Sequence, residues 1–216
     1  KMKNMLINEN GRSMIEMLGV LAIIGVLSVG GIAGFSKAME SYKTNQSIDQ
    51  ISTMIANVKN LGLRQHNRFT GFTTNAAIKM KLIPEEMIVT KNNTSSLVNV
   101  FGGEVKIGTS KSVFGNTKNT NEKDFVIAYY NLPKETCLQI MAKDWGGKKV
   151  AVLAATSSSN LSTGGYLTGE DYSEKSECKD STGVVFCRNQ PMPLAKASSA
   201  CNCGKNNTCS IAIWNF

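Results

Sequence analysis

Two groups of residues in this chain have types and spacings that could do chemistry: a set of cysteines, and one carboxylate set inside an apolar run. The six cysteines all lie beyond residue 136, at Cys137, Cys178, Cys187, Cys201, Cys203 and Cys209. An even number confined to the distal part of a chain, behind a long apolar segment, is the pattern of disulfides formed in an oxidising compartment. Spacing alone leaves the pairing open. The other chemistry open to Cys201-x-Cys203 and Cys209 is zinc or redox work. Those residues do not form a C-x-x-C pair, and the only histidine, His66, is far away in sequence. No metal or other cofactor is expected.

Catalysis finds little to build on. The sequence has no Gly-x-Ser-x-Gly elbow, no phosphate-binding loop and no histidine-rich motif. His66 stands in a basic, polar stretch with Arg64, Gln65, Asn67 and Arg68, where a solvated imidazole is the default. The acidic pairs Glu85-Glu86 and Glu170-Asp171 fall in polar connections, and Gly102-Gly103 and Gly146-Gly147 read as turns. The chain is therefore read as a non-enzyme. Its 216 residues carry a net charge of +8, with 42% hydrophobic and 19% charged residues, which is the composition of a folded chain. The lysines are scattered and not interleaved with aromatics, so the positive charge reads as a solvated basic surface.

The carboxylate is Glu16. Between Met14 and Phe35 it is the only charge, in a run of about 22 residues, enough as a helix to cross a hydrocarbon layer of about 30 Å. Lys1, Lys3 and Arg12 precede the run and favour a cytoplasmic start with everything downstream exported. A secretory signal would have a shorter apolar core, about 7–15 residues, and a small-residue cleavage site. A plain anchor fits the length but leaves Glu16 unexplained, because a carboxylate within a membrane helix costs about 2.5–3.5 kcal/mol on insertion scales. Glycines recur at Gly19, Gly25, Gly30, Gly31 and Gly34. Gly30-x-x-x-Gly34 is a small-residue face of the kind on which helices pack. Gly25 to Gly34 is also a stretch weak enough in helix propensity to extend within an assembly.

Gly11, followed by a hydrophobic helix with Glu five places on, resembles the cleavage and assembly signature of type IV pilins. The resemblance implies that a prepilin peptidase cuts after Gly11, leaving Arg12 as the new N-terminus, a site of methylation in that family. It also implies that Glu16 meets the freed α-amino group of a neighbouring copy, so that two groups costly to bury singly neutralise each other and set the subunit register. Arg12 departs from the apolar residue usual at that position. The chain opens on Lys1, so its leader, residues 1–11, is expected to be incomplete.

Beyond Phe35 the period changes. Ile48, Ile51, Ile55 and Val58 recur at steps of three and four, the mark of an amphipathic helix with one buried stripe, here to about Leu61. The organisation expected is a membrane and filament-core helix over 12–35, its amphipathic continuation over 36–62, and a head over 63–216. In the head, Leu63 to Arg68 reads as a connection, and Thr73 or Thr74 caps a short helix through Lys81. Leu97–Phe101 and Glu104–Ile107 form a hairpin around Gly102-Gly103, and Phe125–Tyr129 is a strand. Pro133 opens a helix around Glu135–Ala142. Val150–Ala154 and an alternating Cys209–Phe216 are further strands, with a surface loop over Ser157–Gly169.

The order LVNVFGGEV and then FVIAYYNLPKETCLQIMAKDW is similar to major pilins of the type IVb branch. That resemblance implies an α+β fold, with a long N-terminal helix packed against an antiparallel sheet and a disulfide-rich region over 137–209. It also implies a Cys137 bridge to Cys201, Cys203 or Cys209 that ties the helix to the terminal strand. Cys178–Cys187 would then close a small loop, with the last two cysteines pairing locally. The implied partners are copies of the chain in a filament, the peptidase, and the bacterial inner membrane before export to the cell surface. Host cells, surfaces or DNA are candidate contacts of the head. Two other functions fit the same architecture: a minor pilin or pseudopilin of a secretion or DNA-uptake machine, and an anchored binding protein that never assembles.

Overall fold

The computed structural model describes residues 10–64, 69–114, 124–146, 150–155, 178–181, 184–187, 191–203 and 208–215. The leader residues ahead of Asn10, His66, the expected loop at Ser157–Gly169 and the pair Glu170-Asp171 lie outside them. The chain forms two units, Lys1–Tyr42 and Lys43–Phe216. The boundary falls within the first helix, α1 (Asn10–Arg64), which runs unbroken through Gly25–Gly34. Its end three residues past Leu61 means that Leu63 and Arg64 are helical and do not begin the connection.

The first unit, as far as it is described, is the upstream part of α1. The second holds the rest of α1 with α2 (Thr74–Lys79), β1 (Ile88–Lys91), β2 (Thr94–Val98), β3 (Glu104–Gly108), α3 (Ser110–Phe114) and β4 (Phe125–Pro133). There follow α4 (Lys134–Ala142), β5 (Val150–Ala155), β6 (Lys179–Ser181), β7 (Val184–Cys187), α5 (Leu194–Ala200) and β8 (Thr208–Asn215). The strands form an antiparallel sheet in the order β1-β2-β3-β4-β8-β5-β7-β6. The α+β arrangement expected from sequence is the one observed.

Local sequence explains most of these elements. The Thr73 hydroxyl accepts from the Ala76 amide at 3.3 Å and starts α2. That helix ends at Lys79, short of Lys81, whose φ of +54° takes the chain out of helical geometry. A two-residue turn at Asn92-Asn93 (φ +50° and +59°) joins β1 to β2 with Lys91 opposite Thr94. Asparagine tolerates that backbone better than most residues, which suits it to a tight hairpin. β2 stops at Val98, not Phe101, because Asn99 turns the chain. Its Oδ1 accepts from the amides of Phe101 (2.9 Å) and Gly103 (3.0 Å), while its Nδ2 donates to the Tyr130 carbonyl at 2.8 Å. Gly103 sits so close to that carbonyl that a Cβ there would lie 1.8 Å from it. Asn131 (φ +59°) lies within the register shift between Tyr129 and Leu132 in β4, and Pro133 then opens α4.

The terminal strand does not have the one buried and one exposed face that its alternation suggests. β8 lies between β4 and β5, and its residues from Cys209 to Asn215 are all buried. Ser210 and Asn215 are thus enclosed along with Ile211, Ile213 and Trp214. Trp214 Nε1 donates to Asp124 Oδ2 at 2.5 Å. The downstream part of α1 contributes Ile51, Met54, Ile55 and Val58 to one core cluster with Leu97, Ile107, Ile127 and Ile213.

Three disulfides bind this unit. Cys178–Cys187 closes the β6–β7 hairpin, Cys203–Cys209 joins the segment after α5 to β8, and Cys137–Cys201 joins α4 to the C-terminal end of α5. Helix α4 is therefore tied to α5, and not directly to the terminal strand as expected. Helix α5 has no counterpart among the elements expected from sequence, because Leu194–Ala200 has no side-chain N-cap and too few residues to show a helical period.

Candidate functional site, the uncovered part of the first helix

Two physical regimes meet in α1. From Thr44 onward one stripe is buried, and it contains polar residues as well as apolar ones: Thr44, Ser47 and Gln50 are at most 3% exposed. Thr44 Oγ1 lies 2.8 Å from Thr136 Oγ1 of α4, and Gln50 Nε2 donates to Glu86 Oε1 at 3.3 Å. Asn57 Nδ2 donates to the Leu82 carbonyl at 3.0 Å, and Lys43 Nζ lies 5.8 Å from the centre of the Phe101 ring. These polar members are invisible to a reading by hydrophobic period, which found only the isoleucines and Val58.

Upstream the environment inverts. Every large apolar side chain from Met14 to Phe35 is between 52% and 75% exposed. This stretch is long and apolar enough to cross a membrane by length and composition. Its glycines are not explained within the chain: a Cβ at Gly19, Gly25, Gly30, Gly31 or Gly34 would meet nothing within 4 Å. Glu16 is exposed on this stretch and has no ionic partner among the described residues. Gly11 and Arg12 lie in the first turns of the same helix.

The cysteines are brought together but not as ligands. The Sγ atoms of Cys137, Cys201 and Cys209 lie within 4.8 Å of one another, all buried. Each is bonded to another sulfur, and a disulfide has no thiolate to coordinate an ion. Burial, helped by Glu86, raises the Tyr129 phenol well above its ordinary pKa, and its hydroxyl faces Met87 Sδ at 3.9 Å. Tyr130 is raised by burial and by Glu104. Both phenols are therefore neutral structural groups at ordinary pH.

A family model described as PilS N terminal matches residues 41–214. The chain belongs to that family. The match to the PilS family covers almost the same residues as the second unit, so it rests on the head and on the covered part of α1. The chain is 20% identical over 181 residues to the major structural subunit of the bundle-forming pilus of Escherichia coli O111:H-, covering 84% of this chain and 89% of that protein. It is 22% identical over 138 residues to the subunit of the same name from Escherichia coli O127:H6, covering 64% and 66%. A crystal structure of a type IV b pilin from Salmonella typhi aligns with 80% of this PilS-family chain and 98% of its own, with 14% identity and a TM-score of 0.48.

Proposed function

We propose that this chain is a structural subunit of a type IVb-like pilus, with a mechanical and not a catalytic role. The observation that carries the reading is the apolar surface of α1 from Met14 to Phe35, uncovered on every side. Apolar area left in water costs roughly 25 cal/mol per Å². A one-sided head can cover only one stripe of a helix, so the rest must lie in lipid or against copies of itself. Membership of the PilS family and the likeness to two major pilus subunits support the same reading.

In this reading the subunit waits in the bacterial inner membrane, held by residues 12–35, and a prepilin peptidase removes the residues up to Gly11. The α-amino group of Arg12 then pairs with Glu16 of a neighbouring copy, and Gly30 and Gly34 let helices approach closely. Lipid is exchanged for helix–helix contact as the filament grows on the cell surface. Intact mass and N-terminal sequencing of a sheared surface fraction test the processing. A chain beginning at Arg12 with its helix retained is expected. A chain that keeps its leader, or that begins near Met39, overturns the proposal. Glu16→Ala is expected to cut filament yield at least tenfold while the head stays folded. Unchanged assembly would remove Glu16 from the mechanism.

A further inference from the structure

The sulfurs of Cys137, Cys201 and Cys209 are closer to one another than two independent bridges require. All three Sγ atoms lie within 4.8 Å of each other, and each residue is 0% exposed. They arrive there from three elements: Cys137 from the first turns of α4, Cys201 from the C-cap of α5, and Cys209 from β8, where it faces Leu132 across the sheet. Cys209 thus stands beside a disulfide to which it does not belong. Chain packing, not chance collision, holds it there.

We propose that these residues form a thiol–disulfide exchange site, in which Cys209, once released from Cys203, takes Cys137 from Cys201. The chemistry balances without an outside oxidant. A dithiol reductant first passes two electrons and two protons to the Cys203–Cys209 bond and is itself oxidised to a disulfide. The Cys209 thiolate then attacks Cys137 Sγ. A Cys137–Cys209 bond forms, the Cys137–Cys201 bond breaks, and Cys201 leaves as a thiolate that takes up the proton Cys209 has lost. The second step is an isomerisation with no net redox change.

Two features favour it. The attacking sulfur is already in place, so the step is intramolecular and does not depend on protein concentration. The released Cys203 also has an acceptor at hand, because its Sγ lies 3.1 Å from the Cys201 carbonyl oxygen. The consequence is mechanical. The covalent tie of α4 moves from α5 to β8, a strand between β4 and β5 in the sheet. Cys178–Cys187 does not belong to this group of sulfurs and serves as the internal control.

The test uses the full chain in detergent carrying Cys203→Ser, which frees Cys209 without a reductant. The protein is held at pH 8, quenched in acid, unfolded, alkylated with a maleimide and mapped by peptide mass. The expected result is label on both Cys209 and Cys201, at least about a tenth of it on Cys201, with a Cys137–Cys209 linked peptide and Cys178–Cys187 intact. Label on Cys209 alone after prolonged incubation overturns the proposal. So does label that reaches Cys178 or Cys187 as readily as Cys201, since that is scrambling in an unfolded chain. Should the variant not fold, the native chain is treated with less than one equivalent of dithiothreitol. Singly reduced molecules labelled at Cys201 and Cys203 are expected. Molecules labelled only at Cys203 and Cys209, or only at Cys137 and Cys201, overturn it.

Discussion

From Met14 to Phe35, α1 exposes its apolar side chains all round and no described residue covers them; from Thr44 onward, the same helix buries a stripe that includes Thr44, Ser47 and Gln50. Helix propensity does not separate the two parts, since both are helical. The distribution of polar residues does. A stripe can be satisfied by one domain, and Thr44 and Gln50 within it are matched to Thr136 and Glu86. A helix with no polar face has no such solution within a single chain of this size. Glycine repeats the contrast. Upstream it faces open space, whereas Gly103 and Gly108 stand where a Cβ would strike the Tyr130 and Phe72 carbonyls.

The largest effect that would sharpen this contrast comes from removing the Cys137–Cys201 bridge, which spans 64 residues. Changing both cysteines to serine is expected to cost the head about 4 kcal/mol in the chain-entropy account. Urea denaturation of the full chain in detergent would read this loss, with the helicity of the upstream part of α1 unchanged. A head as stable as before would mean that packing alone holds α4 and α5 together.

Truncation should discriminate almost as strongly. Met54→Ala removes a fully buried side chain and is expected to lower head stability by about 2–5 kcal/mol. Val26→Ala, at a site 75% exposed, should leave the head's denaturation midpoint where it was. Equal effects at the two positions would break the comparison.

The glycines give the next step. Gly103→Ala should destabilise the head by about 1–3 kcal/mol, because the new methyl group displaces the Tyr130 carbonyl. Gly25→Ala should instead strengthen its helix by up to about 1 kcal/mol, measurable as circular dichroism in micelles. A destabilising Gly25→Ala would point to a close contact that the single chain does not contain.

The smallest effect is confined to alkaline solution. Tyr129 has its folded pKa raised by burial and by Glu86, so above about pH 10 the unfolded chain loses a proton that the folded chain keeps. Its contribution is fully present below that pH and is lost as the pH rises further. Tyr129→Phe should flatten the alkaline fall in stability, and a pH profile identical to that of the native chain would show that the phenol is accessible after all.

Much of this was legible in residues alone. The apolar run, the isoleucine stripe, the Gly102-Gly103 turn and Pro133 all act locally, through period, backbone preference and missing donors. The features that are not legible there act at a distance or through weak signals. Asn92-Asn93 is a turn pair without glycine, and β1 ahead of it has three exposed residues, so the first hairpin lacked a hydrophobic pattern. Helix α5 is only seven residues long, five of them Ala or Ser, with no side-chain N-cap. Thr44 and Gln50 look solvent-facing until Thr136 and Glu86 are placed against them, and Ser47 is buried with no hydrogen-bond partner among the described residues.

The sequence by itself determined that this chain has a long helix whose first part is too apolar for water, and a head whose cysteines all lie beyond residue 136. Those properties belong to local runs and need no partner to exist. Only the tertiary structure decided that the last strand lies between β4 and β5, that Cys137 meets Cys201, and that Cys209 stands within reach of both. Strand order and sulfur pairing depend on which distant segments share a surface, and a one-dimensional pattern carries no record of that.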